Sequence, residues 1–202
     1  MKYFIFDFDG VLGDTFDCSI EVKQAMDGKS REEVLISHNE YFTKSTHTRD
    51  LNLNEESLRA MKEWVIEFGN AIFEKDFNLF TGFIEELKKI KNTKMAVVSS
   101  GSAIYIKPKL ENCGVKFSPI LTFEDHHSKE EKVEMICREW KVEVKDVYFF
   151  TDTISDVREL EKMLDKNKLY GCAWGYQGRE KLLTVLESDH ILDNFSDIKK
   201  IK

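Results

Sequence analysis

Short apolar runs alternate with amphipathic segments along most of this chain, and this alternation limits the possible folds more than any other feature. Runs typical of buried strands lie at residues 3–6, 94–98, 120–122, 147–150 and 169–173, with a weaker one at 190–192. Segments with helical spacing lie between them, at residues 82–91, 103–113, 129–140, 155–164 and 179–187. Strands and helices that alternate in this way indicate βαβ units, so we predict an α/β protein with a doubly wound, mainly parallel, Rossmann-like sheet.

The stretch from residue 15 to residue 80 breaks this alternation. It holds no convincing strand, and its apolar residues follow helical spacing, as at Leu58, Met61 and Val65. About sixty residues of helix between the first two strands are too many for a simple crossover connection. We therefore predict an all-helical cap domain at residues 15–80, inserted into a core domain formed by residues 1–14 and 81–202.

Composition excludes several classes of function. The chain has 202 residues and a net charge of −7, which argues against a nucleic-acid-binding surface, because phosphate backbones require clustered Lys and Arg. No apolar run approaches the roughly 18 residues that span a bilayer. A strand begins at the N-terminus and leaves no room for a signal peptide, and the four cysteines are scattered. We expect a cytoplasmic protein with reduced thiols, no membrane partner, and a monomeric or homodimeric state.

Two carboxylates follow the first strand, in Asp7-Phe8-Asp9-Gly10. Side chains alternate along a strand, so Asp7 and Asp9 point the same way, at the sheet edge where open α/β folds bind ligands. Neighbouring carboxylates raise each other's pKa unless a cation or different protonation states separate them. The pair therefore predicts either a metal site or an acid and a nucleophile with separate roles.

Hydroxyl groups and glycine follow the second strand, in Ser99-Ser100-Gly101-Ser102. The unpaired N–H groups at the start of a helix make such a turn an anion site. A serine here is also a common helix cap, and the turn alone does not decide between the two interpretations.

Two further strand ends carry charged residues. Ser128 and Glu131 resemble a capping box, which does not require the lysine at position 129. Lys132 is a rival for the same role, but Lys129 lies nearer the strand edge. Asp152 and Asp156 follow the fourth strand and are one helical turn apart.

With these strand-end residues in this order along the chain, the sequence resembles the haloacid dehalogenase superfamily, in its phosphoglycolate-phosphatase-like and β-phosphoglucomutase-like branch. Asp7-Phe8-Asp9-Gly10-Val11 fits the first motif, DxDx(V/T), and Ser99 fits the second. Lys129 fits the third motif, and Asp152 with Asp156 fits the DxxxD form of the fourth. The helical insertion lies between the first two motifs, where the superfamily places its cap, so the resemblance covers nearly the whole chain.

The resemblance implies a Mg²⁺-dependent phosphatase that acts on a small phosphorylated metabolite. Asp7 would be the nucleophile that becomes an aspartyl-phosphate, and Asp9 would be the general acid and base. The carboxylates of Asp7 and Asp152 and the backbone carbonyl of Asp9 would hold the metal.

The remaining motif residues would serve the phosphoryl group. Ser99 and the amides of Ser100 and Gly101 would bind its oxygens, Lys129 would neutralise its charge and that of Asp7, and Asp156 would orient Lys129 or a metal-bound water. Two alternatives stay open. One is a phosphoglucomutase-like phosphotransferase, and the other is a non-enzymatic signalling or binding domain that is phosphorylated on aspartate.

The predicted cap gives weaker indications of specificity. Arg49, His38 and His47 lie in a polar stretch, and exposed charge is favoured for Arg49 over a clamp on the substrate. Trp64 fits the core face of a helix. Tyr176 fits the border of an active-site cleft and core packing equally well.

Overall fold

A six-stranded parallel sheet forms the centre of the molecule. The computed structural model of the chain describes residues 1–44, 48–49, 51 and 53–201. The strands are β1 (Lys2–Phe6), β2 (Thr93–Val98), β3 (Phe117–Leu121), β4 (Val147–Thr151), β5 (Leu169–Cys172) and β6 (Ile191–Leu192). Their order in the sheet is β3-β2-β1-β4-β5-β6, and every neighbouring pair is parallel. The predicted doubly wound α/β fold is confirmed.

Eight α-helices accompany the sheet in the described residues. They are α1 (Phe16–Asp27), α2 (Arg31–Thr43), α3 (Glu55–Phe73), α4 (Thr81–Lys88), α5 (Ala103–Glu111), α6 (Lys129–Trp140), α7 (Ile154–Leu160) and α8 (Gly178–Leu182). Short 3₁₀ helices lie at Val144–Asp146, Lys166–Lys168, Ser188–His190 and Phe195–Lys200. No helix in these described parts of the chain is long and apolar enough to cross a membrane.

Four helices end earlier than the apolar spacing predicts, α4 and α5 by two or three residues and α7 and α8 by four or five. Helix α7 ends at Leu160 rather than at residue 164, and α8 ends at Leu182 rather than at residue 187. Beyond each end the backbone forms tighter hydrogen bonds across three residues, from Met163 N–H to Leu160 and from Val185 N–H to Leu182. Such turns keep the apolar side chains on the same face, so the sequence pattern does not reveal where the α-helix stops.

Both faces of the sheet are buried. Phe4 and Phe6 pack on the face covered by α4 and α5, and the intervening Ile5 packs on the face covered by α6 and α7. A sheet covered on both sides needs apolar side chains at successive positions, which explains the continuous apolar runs of its strands.

Residues 15–80 form an inserted segment between β1 and β2. Its described residues contain α1, α2 and α3 and no named strand. Helix α2 contacts α7, and α3 contacts α5. The chain enters and leaves this segment at one place, because Asp14 N–H donates to Asn78 O at 2.9 Å and Phe80 N–H donates to Leu12 O at 2.8 Å. The division into core and cap domains stays a prediction.

Replacing Phe150 with alanine tests the centre of the core. The Phe150 ring is fully buried and stacks on Phe6 with ring centroids 4.7 Å apart. We expect Phe150→Ala to lower the free energy of unfolding by about 3–5 kcal/mol in urea titrations. Phe73, which is 50% exposed, supplies the control substitution Phe73→Ala. Equal losses in the two variants would contradict this description of the core.

Candidate active site

The carboxyl ends of β1, β2 and β4 meet where the strand order reverses. Strand β1 lies between β2 and β4, and the Asp7 N–H continues the pairing with β4 by donating to Phe150 O at 2.9 Å. Asp7, Ser99 and Asp152 follow the three strands directly and are all buried. This edge is where open α/β sheets bind their ligands.

A buried lysine joins two of the acids. Lys129 Nζ lies 2.8 Å from Asp7 Oδ2 and 2.7 Å from Asp156 Oδ2, and all three side chains are buried. Burial raises the pKa of Asp7 above its usual range, and the Lys129 ammonium opposes this shift. Burial alone would also raise the pKa of Asp156. Lys129 and the Thr151 hydroxyl, which donates at 2.5 Å, instead hold this pKa below its usual value.

Lys132 occupies a different position from Lys129. Its ammonium is fully buried and donates to Ser99 O at 2.6 Å and Thr122 O at 3.4 Å, which are backbone groups beyond β2 and β3. Burial lowers the pKa of Lys132 to about 7. Lys129 is therefore the lysine that contacts Asp7, and Lys132 holds the backbone beside Ser99.

The Asp9 carboxyl is held by neutral hydroxyl groups. Thr15 Oγ1 donates to Oδ1 at 2.8 Å, Tyr105 Oη donates to Oδ2 at 2.8 Å, and Ser99 Oγ lies 3.5 Å from Oδ2. Burial raises the pKa of Asp9, and the hydrogen bonds from Thr15 and Tyr105 oppose the shift. This environment favours a carboxyl group that keeps a proton more readily than an exposed aspartate.

The turn after β2 is compact and already hydrogen-bonded. Gly101 N–H donates to Ser99 Oγ at 2.9 Å, so that amide has a partner within the turn. A Cβ at Gly101 would lie 1.9 Å from Tyr105 Oη, and only glycine allows this approach. Ser102 caps α5 by accepting from Ile104 N–H at 3.4 Å, which is the capping role considered for this turn.

Asp152 has one bound and one free oxygen. Its Oδ2 accepts from Tyr176 N–H at 2.7 Å, while the buried Oδ1 has no hydrogen-bond partner among the described residues. Gly10 has φ +72°, and a Cβ there would lie 2.0 Å from Asp152 Oδ2, so a side chain at position 10 would displace the carboxylate. Burial raises the pKa of Asp152 to about 7.

These acids fit a magnesium ion that retains water ligands. Asp7 and Asp152 offer hard carboxylate oxygens, one of them unpartnered, and burial raises the pKa of both. Among the described residues, no three His, Cys, Asp or Glu side chains are grouped to hold a metal. Two carboxylates are enough for an ion of this kind, because Mg²⁺ commonly takes backbone oxygen and water as further ligands.

One cavity of about 490 Å³ brings the predicted site residues together. All eight of them line it: Asp7, Asp9, Ser99, Ser100, Gly101, Lys129, Asp152 and Asp156. Sequence reasoning missed Thr15 and Tyr105, which hold Asp9, and Glu159, whose Oε1 accepts from Lys129 N–H at 2.7 Å. No local signal marks these residues, because only the fold brings them to the acids.

Residues of the inserted segment also line this cavity, and two expectations for this segment, those for Trp64 and His38, were wrong. Trp64 is 41% exposed and lines the cavity, so it is not a core residue. His38 is buried within α2 rather than placed in a polar stretch between helices. Arg49 binds Glu130 and Glu134 on α6 and does not line the cavity. Position 47 lies outside the described residues.

Comparison with known proteins agrees with this arrangement. Residues 4–163 match the family of haloacid dehalogenase-like hydrolases. The chain belongs to this family. A search of curated proteins finds no match.

Several solved structures share the fold along the whole chain. A hydrolase from Pseudomonas syringae is 15% identical with a TM-score of 0.71, over 99% of this chain and 97% of that one. A predicted phosphatase from Clostridium acetobutylicum is 18% identical with a TM-score of 0.70, over 98% and 96%. A predicted phosphoglycolate phosphatase from Haemophilus somnus is 18% identical with a TM-score of 0.66, over 100% and 97%. At these identities the likeness establishes a common fold.

Replacing Lys129 with methionine tests the buried ion pairs. Lys129→Met leaves the carboxylates of Asp7 and Asp156 buried without their cation. We therefore expect the free energy of unfolding, measured by urea titration at pH 7, to fall by about 3–5 kcal/mol. Because Lys129 lowers the pKa of Asp156, this difference should shrink as the pH falls below the usual aspartate pKa. The control Lys145→Met breaks an exposed pair with Glu143 and should change stability little. Equal losses of stability in the two variants would refute the conclusion that Lys129 forms buried ion pairs with Asp7 and Asp156.

Proposed function

We propose that this protein is a Mg²⁺-dependent phosphatase that hydrolyses a small phosphomonoester through an aspartyl-phosphate on Asp7. The observation that carries the proposal is the pairing of two differently held acids in one cavity. Asp7 lies 2.8 Å from the Lys129 ammonium, which opposes the rise in its pKa caused by burial and favours the ionised form. The Asp9 carboxyl is instead hydrogen-bonded by the hydroxyls of Thr15 and Tyr105, and burial raises its pKa. The first suits a nucleophile and the second suits a proton donor.

In the first step, a carboxylate oxygen of Asp7 attacks phosphorus and the ester P–O bond breaks. Asp9 gives its proton to the leaving alkoxide, so a neutral alcohol departs and Asp9 becomes ionised. In the second step, Asp9 takes a proton from water as the water oxygen attacks the same phosphorus. The P–O bond to Asp7 then breaks, which releases inorganic phosphate and restores both acids.

Thr15 and Tyr105 position the acid. Their hydroxyls hold both oxygens of the Asp9 carboxyl at 2.8 Å and fix its orientation toward the cavity that it lines. Fixed orientation matters because proton transfer requires hydrogen-bond distance between Asp9 and the ester oxygen.

Asp7, Asp152 and the backbone carbonyl of Asp9 would hold Mg²⁺, and Asp156 would keep Lys129 in place. When bound, the ion reduces the repulsion between the carboxylate and the phosphoryl group and orients that group. Lys129 adds positive charge on another side of Asp7, and Ser99 and Ser100 offer hydroxyls to the phosphoryl oxygens. Two structurally similar proteins are described as predicted phosphatases, which supports this reaction class.

Substitutions at the two acids test the proposal. With Mg²⁺ present, Asp7→Asn should abolish the release of phosphate. Asp9→Asn should slow hydrolysis of an alkyl phosphate by about 10²–10⁴-fold and that of p-nitrophenyl phosphate by less, because nitrophenolate leaves without a proton. Asp14→Asn changes an exposed acid outside the cavity and serves as the matched control.

The products decide between this reaction and its alternatives. Free phosphate released in many turnovers supports the phosphatase. Stoichiometric labelling of the unmutated protein without turnover would indicate a phosphorylated signalling domain. Conversion of a phosphorylated sugar to its isomer, without release of phosphate, would indicate a phosphotransferase.

The pH dependence of Mg²⁺ binding tests the metal ligands. A ligand carboxyl must lose its proton before it binds the metal, and the pKa of Asp152 is raised to about 7. We therefore expect the Mg²⁺ dissociation constant from calorimetry to be about tenfold larger at pH 6 than at pH 8. Asp152→Asn should weaken binding and flatten the profile. A Mg²⁺ affinity that does not change with pH in the unmutated protein would contradict the proposal that Asp152 binds the metal.

A further inference from the structure

Ring side chains form a large part of the cavity lining. Six of them, which we call the aromatic side, are Phe16, His38, Phe42, Trp64, Phe68 and Tyr176. Five of the six come from the inserted segment, on α1, α2 and α3, and Tyr176 follows β5. A substrate whose phosphate lies at the acids would place the rest of its structure against these rings.

Tyr176 connects the aromatic side to the chemistry. Its N–H donates to Asp152, and its ring centroid lies 4.9 Å from Phe16, 4.7 Å from His38 and 5.3 Å from Phe42. The aromatic side therefore lies next to Asp152, so a compact ester with its phosphate at the acids can contact these rings.

Trp64 and Phe68 provide a flat surface on α3. Their rings are stacked, with centroids 4.9 Å apart and an angle of 10° between the planes. Trp64 keeps 41% of its surface exposed, so core packing does not account for it. Aromatic rings prefer stacked or edge-on contact with other rings, and such contacts add to the burial of apolar area.

Lys23 on α1 argues against a cationic substrate. Its ammonium lies 5.4 Å from the Tyr41 ring and 5.7 Å from the Trp64 ring. Among the described residues it forms no salt bridge, although the Asp27 carboxylate attracts it electrostatically. Aromatic cages that bind quaternary ammonium groups use these ring faces for the ligand. Here a protein cation already lies near the Trp64 ring and would repel a second one.

His38 provides a polar contact within the same lining. The residue is 6% exposed, and its buried Nδ1 has no hydrogen-bond partner among the described residues. Burial lowers the pKa of His38 to about 3, so the ring is neutral at physiological pH. The neutral imidazole adds a polar group to a mostly apolar cavity lining, as in pockets that combine apolar lining with few polar groups.

We infer that the alcohol part of the substrate carries a planar, uncharged or anionic aromatic ring that packs against the aromatic side. This inference rests on the proposed phosphatase function, which places the phosphate at Asp7. The cavity volume of about 490 Å³ accommodates a phosphate and one ring system. A nucleobase and a carbocyclic aryl group share the chemistry that these residues would recognise.

A matched pair of alkyl phosphates tests the preference for a ring. With Mg²⁺ present, 2-phenylethyl phosphate should have a kcat/KM at least about tenfold above that of 2-cyclohexylethyl phosphate. The two leaving groups are primary alcohols, and the cyclohexyl compound is at least as apolar, so the ratio reports planarity. Equal values, or a higher value for phosphocholine, would overturn the inference.

One tryptophan substitution and one phenylalanine substitution on α3 test whether Trp64 causes the preference for a phenyl ring. Trp64→Leu should reduce the phenyl-to-cyclohexyl ratio about fivefold or more, because it removes the flat ring. Phe73→Leu changes another exposed aromatic residue of the same helix that does not line the cavity, and it should leave the ratio unchanged. An unchanged ratio in the Trp64 variant would contradict the placement of the ring.

A second pair of substrates distinguishes the two sources of the ring. Uridine 5′-monophosphate and ribose 5-phosphate share the primary alcohol and differ in the base. A preference of tenfold or more for the nucleotide identifies a nucleobase. No such preference, together with a preference for the phenyl compound, identifies a carbocyclic ring.

Binding of non-hydrolysable phosphonates separates this inference from the proposed function. Calorimetry with 3-phenylpropylphosphonate and 3-cyclohexylpropylphosphonate, in the presence of Mg²⁺, requires no turnover. A tenfold tighter Kd for the phenyl compound supports the aromatic preference even if no ester is hydrolysed. In that case only the proposed phosphatase function would be disproved. Equal Kd values would overturn the aromatic preference whether or not the protein is a phosphatase.

Discussion

The contact of the Lys129 ammonium with Asp7 and Asp156 is the interaction on which the rest of the site depends. It joins the end of β1, the start of α6 and the first turn of α7 by buried charges less than 3 Å apart. Removing one partner of such a cluster is costly, because the remaining charge stays buried. Asp9 and Asp152 line the same cavity without a direct contact to this lysine among the described residues, and the proposed Mg²⁺ would supply the further positive charge.

Much of the fold and the chemical centre could be predicted from the sequence. The strands were visible because a sheet covered on both faces requires uninterrupted apolar runs, as in Phe4, Ile5 and Phe6. The acids and Lys129 were visible because each directly follows a strand or begins a helix. Parallel strands bring such positions to one edge, so chain order and spatial proximity coincide there.

The remainder of the site depends on contacts that chain order does not reveal. Thr15 and Tyr105 reach Asp9 from the inserted segment and from α5, and neither has a distinctive neighbouring sequence. Trp64 was assigned to the core because apolar periodicity marks a buried face but does not distinguish protein from ligand as the partner. The ends of α7 and α8 were missed because the tighter turns that follow preserve the apolar face.

The paired backbone at residues 12–14 and 78–80 has a consequence for how such a protein changes over time. Because the inserted helices leave and rejoin the core at one point, their length and sequence can vary without altering the pairing of β1 with β2. The four acids lie outside the inserted helices, whereas five of the six rings of the aromatic side lie within them. New substrates can therefore be acquired by changing helices that take no part in bond breaking.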